Sequence, residues 1–93
     1  MLILHLTLKK KWFDMILSGE KKEEYRDIKP YWRKRLLGKN FDAVRFINGY
    51  SKKSPTFLIK FNGLKLGMGR LEWGAPGSRL VFIIKLGDII KLG

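Results

Sequence analysis

The stretch Gly19-Glu20-Lys21-Lys22-Glu23-Glu24-Tyr25-Arg26-Asp27 crowds both signs of charge around one aromatic residue. In extended backbone, side chains alternate between two faces, so Lys22, Glu24 and Arg26 share one face while Glu23 and Tyr25 share the other. Lys21 sits at the turn entering that strand. A base and an acid within reach of each other in a concave place could bind a small polar ligand or move a proton. The plainer alternative is a solvated edge strand whose charges block aggregation.

Other candidates lie downstream. Tyr31 to Leu37 carries Arg33, Lys34 and Arg35 beside Trp32, Leu36 and Leu37. These cations could contact phosphate or simply form a solvated face. Asn48-Gly49-Tyr50-Ser51-Lys52-Lys53 brings an amide, an aromatic ring and two lysines into a polar loop. Tyr50 could stack on a base while Lys52 and Lys53 hold its phosphates, the mixture that sequence-tolerant single-strand binders use. An exposed turn with two lysines accounts for the same residues. His5 stands alone, without a second histidine or a cysteine, so no metal site is expected, and its expected role is structural.

Twenty Lys and Arg against eight Asp and Glu give a formal charge of +12 over 93 residues. Such a field favours polyanions. Basic groups that neutralise phosphates release condensed counterions, which makes nucleic acid the expected partner and predicts affinity that falls with salt. No cofactor is expected. No cysteine is present, which excludes disulfides and thiolate metal sites. The strongest apolar run, Leu80 to Ile84, is far too short to span a bilayer, so no membrane partner is expected. Met1 to Leu8 lacks the order of a signal peptide, and a cytoplasmic location is expected.

The elements that must position these residues fit one small domain over 1–93. Leu2, Leu4, Leu6 and Leu8 alternate with Ile3, His5 and Thr7, the period of a strand with one apolar face. Trp12, Phe13, Ile16 and Leu17 predict a helix over Lys10 to Ser18 with its stop at Gly19, and the lysines at its start oppose the helix dipole. Trp12 and Phe13 are expected in the core. Pro30 opens a second helix that ends at Gly38. Strands follow at Phe41 to Ile47 and Thr56 to Phe61, and Asn62-Gly63 predicts a hairpin returning through Leu64 to Leu66. Leu80 to Leu86 is a buried strand. The repeat of Ile83-Ile84-Lys85-Leu86-Gly87 as Ile89-Ile90-Lys91-Leu92-Gly93 predicts a turn at Gly87-Asp88 and a short closing strand. These pieces argue an α+β fold, with a mostly antiparallel sheet curled into a small barrel and two short helices.

The spacing Gly19-x-Lys21-x-x-Glu24-x-Arg26 resembles the G-x-K-x-x-E-x-R signature of the ASCH family, which is related to the PUA domains. The resemblance runs along most of the chain and is closest to short stand-alone members from phages and bacteria. It implies a PUA-like β-barrel with helices beside its opening, and a cleft between barrel and helix lined by Lys21, Glu24 and Arg26. It also implies binding of RNA or of a modified nucleoside. Lys21 would then supply a movable cation, Glu24 an acceptor or general base, and Arg26 a phosphate fork or a clamp that keeps Glu24 ionised.

Some small relatives in that family hydrolyse the acetyl amide of acetylated cytidine with the signature lysine, a threonine three positions later and a distant glutamate. Here Glu24 occupies the threonine position, and Glu72 is a candidate for the distant acid. Other members have been described as ribonucleases, for which a Lys and Glu pair could stabilise the phosphorane without metal. Three functions therefore follow from the sequence: an RNA- or nucleotide-binding module, a metal-independent hydrolase using Lys21 and Glu24, and a basic adaptor for an acidic partner.

Overall fold

The computed structural model describes all 93 residues. Strand β1 (Ile3–Leu8) leads into helix α1 (Lys10–Leu17), strand β2 (Glu23–Arg26) and helix α2 (Pro30–Leu36). Strands β3 (Ala43–Asn48), β4 (Thr56–Gly67) and β5 (Val81–Leu92) follow, with one 3-10 turn at Leu71–Trp73 between the last two. They form a five-stranded sheet in the order β1-β3-β4-β5-β2. The β1–β3 pairing is parallel and the others are antiparallel.

The apolar alternation of β1 has the expected consequence, because Leu4, Leu6 and Leu8 are all buried. They meet Phe13 and Ile16 from α1, Leu36 from α2, and Val44, Phe46, Phe57, Ile59, Phe82 and Ile84 from the other strands. Full burial of each such side chain contributes about 1.5–3 kcal/mol. α1 packs against β1 and β3, so its buried stripe sits over the parallel pair. Pro30 occupies the first turn of α2, where its missing N–H is no loss.

The sheet differs from the expected barrel. It curls through 220° and stays open, with β1 and β2 as its two edges. Closure would need these strands to pair, and instead side chains cross the gap, as described below.

Two expected turns are also absent. Asn62-Gly63 lies inside the continuous strand β4, and Gly87-Asp88 lies inside β5. The two strands pair along most of their length, and register shifts between Leu58 and Leu64 absorb the irregularity. Gly63 takes a φ of +122°, where a side chain is strained. Gly87 lies against Asn62, whose amide nitrogen would stand 2.9 Å from an added Cβ. The glycines thus bulge and bend a long ribbon without reversing the chain.

Candidate functional site

Helix α1 stops with Gly19 N–H donating to the Ile16 carbonyl and Lys21 N–H donating to that of Met15. This tight exit points Lys21 back under the domain, and its side chain is 1% exposed. Its Nζ donates to the Trp73 carbonyl at 2.5 Å and lies 3.2 Å from Glu24 Oε1. The rings of Tyr25 and Trp12 stand 4.6 and 5.3 Å from the same nitrogen.

Strand β2, held by its ladder with β5, places Glu24 and Arg26 on one face. Arg26 donates to Glu24 Oε2 at 2.7 Å, so the two carboxylate oxygens are divided between an ammonium and a guanidinium. Lys22, expected on that face, precedes the strand and is exposed. On the opposite face the Tyr25 hydroxyl donates to Glu23 Oε1 and accepts from the Arg70 N–H. Gly74 makes room for this arrangement, since a Cβ there would stand 3.0 Å from the Trp12 ring.

Burial lowers the Lys21 pKa from its ordinary 10.5, while Glu24 pulls it partly back. Burial raises Tyr25 to about 12, with the Arg70 N–H opposing. Asp27 is lowered, chiefly by the hydrogen bond from Arg79.

Across the open seam, Arg26 also reaches the Thr7 carbonyl of β1 at 3.3 Å. Arg35, from α2, donates to the His5 carbonyl on the same strand at 3.0 Å. Trp32 holds both guanidiniums, at 4.9 Å from Arg26 and 5.2 Å from Arg35. Two cations and one indole therefore span the gap that strand pairing leaves.

Four hollows follow the seam. One of about 240 Å³ is walled by Thr7, Lys9, Trp12, Glu24, Arg26 and Gly74. A second, of about 410 Å³, shares Tyr25, Arg26 and Gly74 with it and adds Trp32 and Arg79. A third, of about 240 Å³, lies among His5, Thr7, Arg26, Trp32, Arg35 and Tyr50. A fourth, of about 390 Å³, joins Thr7 and Lys9 to Asn48 and Tyr50. Neighbouring hollows share walls, with Arg26 lining three of the four.

The structure thus distributes Glu24, Arg26, Arg35, Asn48 and Tyr50 over adjoining hollows along the seam. Lys21 belongs to the triad but lies beneath the groove, and touches a separate crevice beside Gly19 and Asp88. Arg33, Lys52 and Lys53 are exposed and line none of these hollows. Glu72 is exposed as well, and the triad takes the carbonyl of its neighbour Trp73 instead.

Periodicity and motif spacing do not mark Thr7, Trp12, Trp32 and Arg79 as site residues. Trp12 was expected in the core, and although it packs against the core it is only partly buried and walls the groove. The signal available for Trp12 was its place beside the lysines that open α1.

No group of three or more His, Asp or Glu side chains is placed to hold a metal ion. No helix is long and apolar enough to cross a membrane. No protein-family model matches the chain, and neither a curated protein nor a solved structure does. Fold and site together define a small α+β domain whose open sheet is flanked by hollows lined by charged and aromatic residues.

Proposed function

We propose that the protein binds RNA, or a nucleotide or modified nucleoside, in the groove above the Lys21–Glu24–Arg26 triad. The observation that carries this reading is the groove's lining. Arg26, Arg35 and Arg79 line the hollows together with Trp12, Trp32 and Tyr50, beside the carboxylates of Glu24 and Asp27. Cations beside stacking faces suit an unpaired strand, whose phosphates and bases need both. The charge of +12 supports a polyanion over a neutral ligand. The hollows also fall in or near the range of small-ligand sites, about 300–1,000 Å³. Membership of the ASCH family, with a PUA-like architecture whose sheet stays an open half-barrel, and a cytoplasmic location belong to the same proposal.

Titration with single-stranded RNA, followed by tryptophan fluorescence, tests it. Binding that weakens as salt rises is expected, because counterion release drives the association. Absence of binding at low salt overturns the proposal.

A second reading, a metal-independent hydrolase acting on RNA or on an acylated nucleoside, draws on the depressed pKa of Lys21 beside Glu24. Perturbed ionisable groups cluster at reactive sites, and they also occur in structural ion pairs. Lys21 would have to leave the Trp73 carbonyl before it reached a substrate. Incubation of RNA and acylated nucleosides with the wild type, Lys21→Ala and Glu24→Ala decides the matter. Turnover abolished by both substitutions supports it, and turnover that is absent or unaffected removes it.

A further inference from the structure

The seam has a feature that its side chains do not use. In an antiparallel ladder, alternate residues exchange both main-chain hydrogen bonds with the partner strand, and those between them point their N–H and C=O groups away. Leu86 N–H donates to the Lys22 carbonyl, which fixes the phase of the β2–β5 ladder. Glu24 and Arg26 then bond to β5, and the main chain of Glu23 and Tyr25 faces outward. Because β2 is an edge strand, no neighbour receives those groups. Outside the ladder, the Tyr25 main chain makes no hydrogen bond.

β1, the other edge, is treated differently. Its His5 and Thr7 carbonyls are covered by Arg35 and Arg26. On the β2 side both main-chain groups of Tyr25 are left free, and Tyr25 lines the two hollows that meet at Arg26. Arg26 Nε is itself buried there without a partner. An edge strand presents such unpaired main-chain groups as a ready template for a pairing partner.

Building on the nucleic-acid reading of the groove, we propose that the free main-chain edge of Tyr25 reads the Watson–Crick edge of one unpaired base. The N–H and C=O of a single extended residue form an adjacent donor and acceptor. Each of the four RNA bases presents an adjacent acceptor and donor on its pairing edge, so the match is chemical and does not select one base over the others. In duplex RNA that edge is occupied, and the groove therefore takes single strands. Trp12 and Trp32, which wall the two hollows, supply the ring faces, and Arg26 supplies the charge. A polypeptide strand could pair with the same edge. The net positive charge and the aromatic rim favour the base.

The experiment uses the full chain labelled with 15N. It is titrated with RNA tetranucleotides of each base, with the same tetranucleotides methylated on the pairing edge, and with an acidic strand-forming peptide. The expected result is binding of the unmodified tetranucleotides, a shift of the Tyr25 amide resonance, and affinity about ten- to hundredfold weaker after methylation. Equal affinity for methylated and unmodified RNA, or an unmoved Tyr25 amide, overturns this proposal and leaves the nucleic-acid groove standing. No binding of any tetranucleotide overturns both. A Tyr25 shift produced by the peptide and not by RNA assigns the edge to a polypeptide strand and likewise overturns the proposal.

Discussion

The Arg26 guanidinium and the Thr7 carbonyl face each other across the open side of the sheet, 3.3 Å apart. The same guanidinium is bound at 2.7 Å by Glu24 and stacked at 4.9 Å on Trp32. One side chain thus joins the two edge strands, the buried carboxylate and the second helix. The reach to Thr7 is long for a hydrogen bond, so the Arg26 guanidinium is held more by Glu24 and Trp32 than by β1.

Replacing Arg26 tests that division. Arg26→Ala is expected to lower stability by about 1–3 kcal/mol, since it strips Glu24 of one partner and removes packing from Trp32. RNA affinity should fall about tenfold or more. Arg26→Lys keeps the charge but lacks the planar fork, and should recover less than half of either loss. Urea denaturation and fluorescence titration of the same samples check both numbers. Full recovery by lysine would mean that only the charge matters.

The Lys21–Glu24 pair is expected to behave as a buried ion pair whose halves cannot be removed singly. Glu24→Leu leaves the ammonium in the interior with the Trp73 carbonyl as its hydrogen-bond partner, a loss of about 3–5 kcal/mol. Lys21→Met should cost less, because Glu24 keeps Arg26. The double substitution should be more stable than Glu24→Leu alone. Additive losses in the double-mutant cycle would show that the two groups are not coupled.

Titration gives a sign that can be checked. Lys21 is lowered below 10.5 by burial, so between its folded value and 10.5 the unfolded chain carries a proton that the folded chain has shed. Stability contributed by this group therefore rises with pH across that window and is lost as pH falls through the folded value. Tyr25 opposes it at higher pH. Raised from 10.0 to about 12, it contributes stability that is whole below 10.0 and lost as pH rises through 12. Denaturation midpoints measured across alkaline pH should rise less steeply for Lys21→Met than for the wild type. Tyr25→Phe should blunt the later decline. A wild-type slope unchanged in Lys21→Met would place the titration elsewhere.

Much of this architecture is legible in the residues themselves. The Leu4, Leu6 and Leu8 face, the helix that stops before Gly19 and the proline-led α2 follow from local periodicity and local stops. The contact among Lys21, Glu24 and Arg26 follows from strand alternation and one tight turn. What local pattern misses is set by distant partners. Asn62-Gly63 and Gly87-Asp88 carry the chemistry of turns, yet each faces the other strand's irregularity, and the long ladder absorbs both as bulges. The parallel choice of β1 for β3 is likewise made across the sheet, and so is the seam that leaves it open.

Gly69 supports the site at a distance in sequence. A Cβ there would stand 2.6 Å from both the Tyr25 ring and the Ala75 Cβ, closer than packed atoms allow. Gly69→Ala must push Tyr25 away from Glu23 and Arg70, and should cost about 1–3 kcal/mol by overpacking. The Tyr25 phenol should then titrate nearer its ordinary 10.0, which ultraviolet phenolate absorbance reads directly. Loss of stability without that movement would mean that Ala75 alone yields.

The cations divide into those inside the groove and those outside it, and this separates nucleic-acid binding from docking on an acidic protein. Arg26 and Arg35 line the groove, whereas Arg33, Lys52 and Lys53 are exposed elsewhere. Each phosphate released from contact should reduce the slope of log affinity against log salt by about 0.7 for single strands. Arg35→Gln should therefore lower the slope by about that amount and weaken RNA binding, and the paired change of Lys52 and Lys53 to Gln should do so less. An adaptor that reads bulk charge would show the reverse order. Salt titrations of the two variants beside the wild type measure the ranking, and a larger effect at Lys52 and Lys53 would move the interface off the seam.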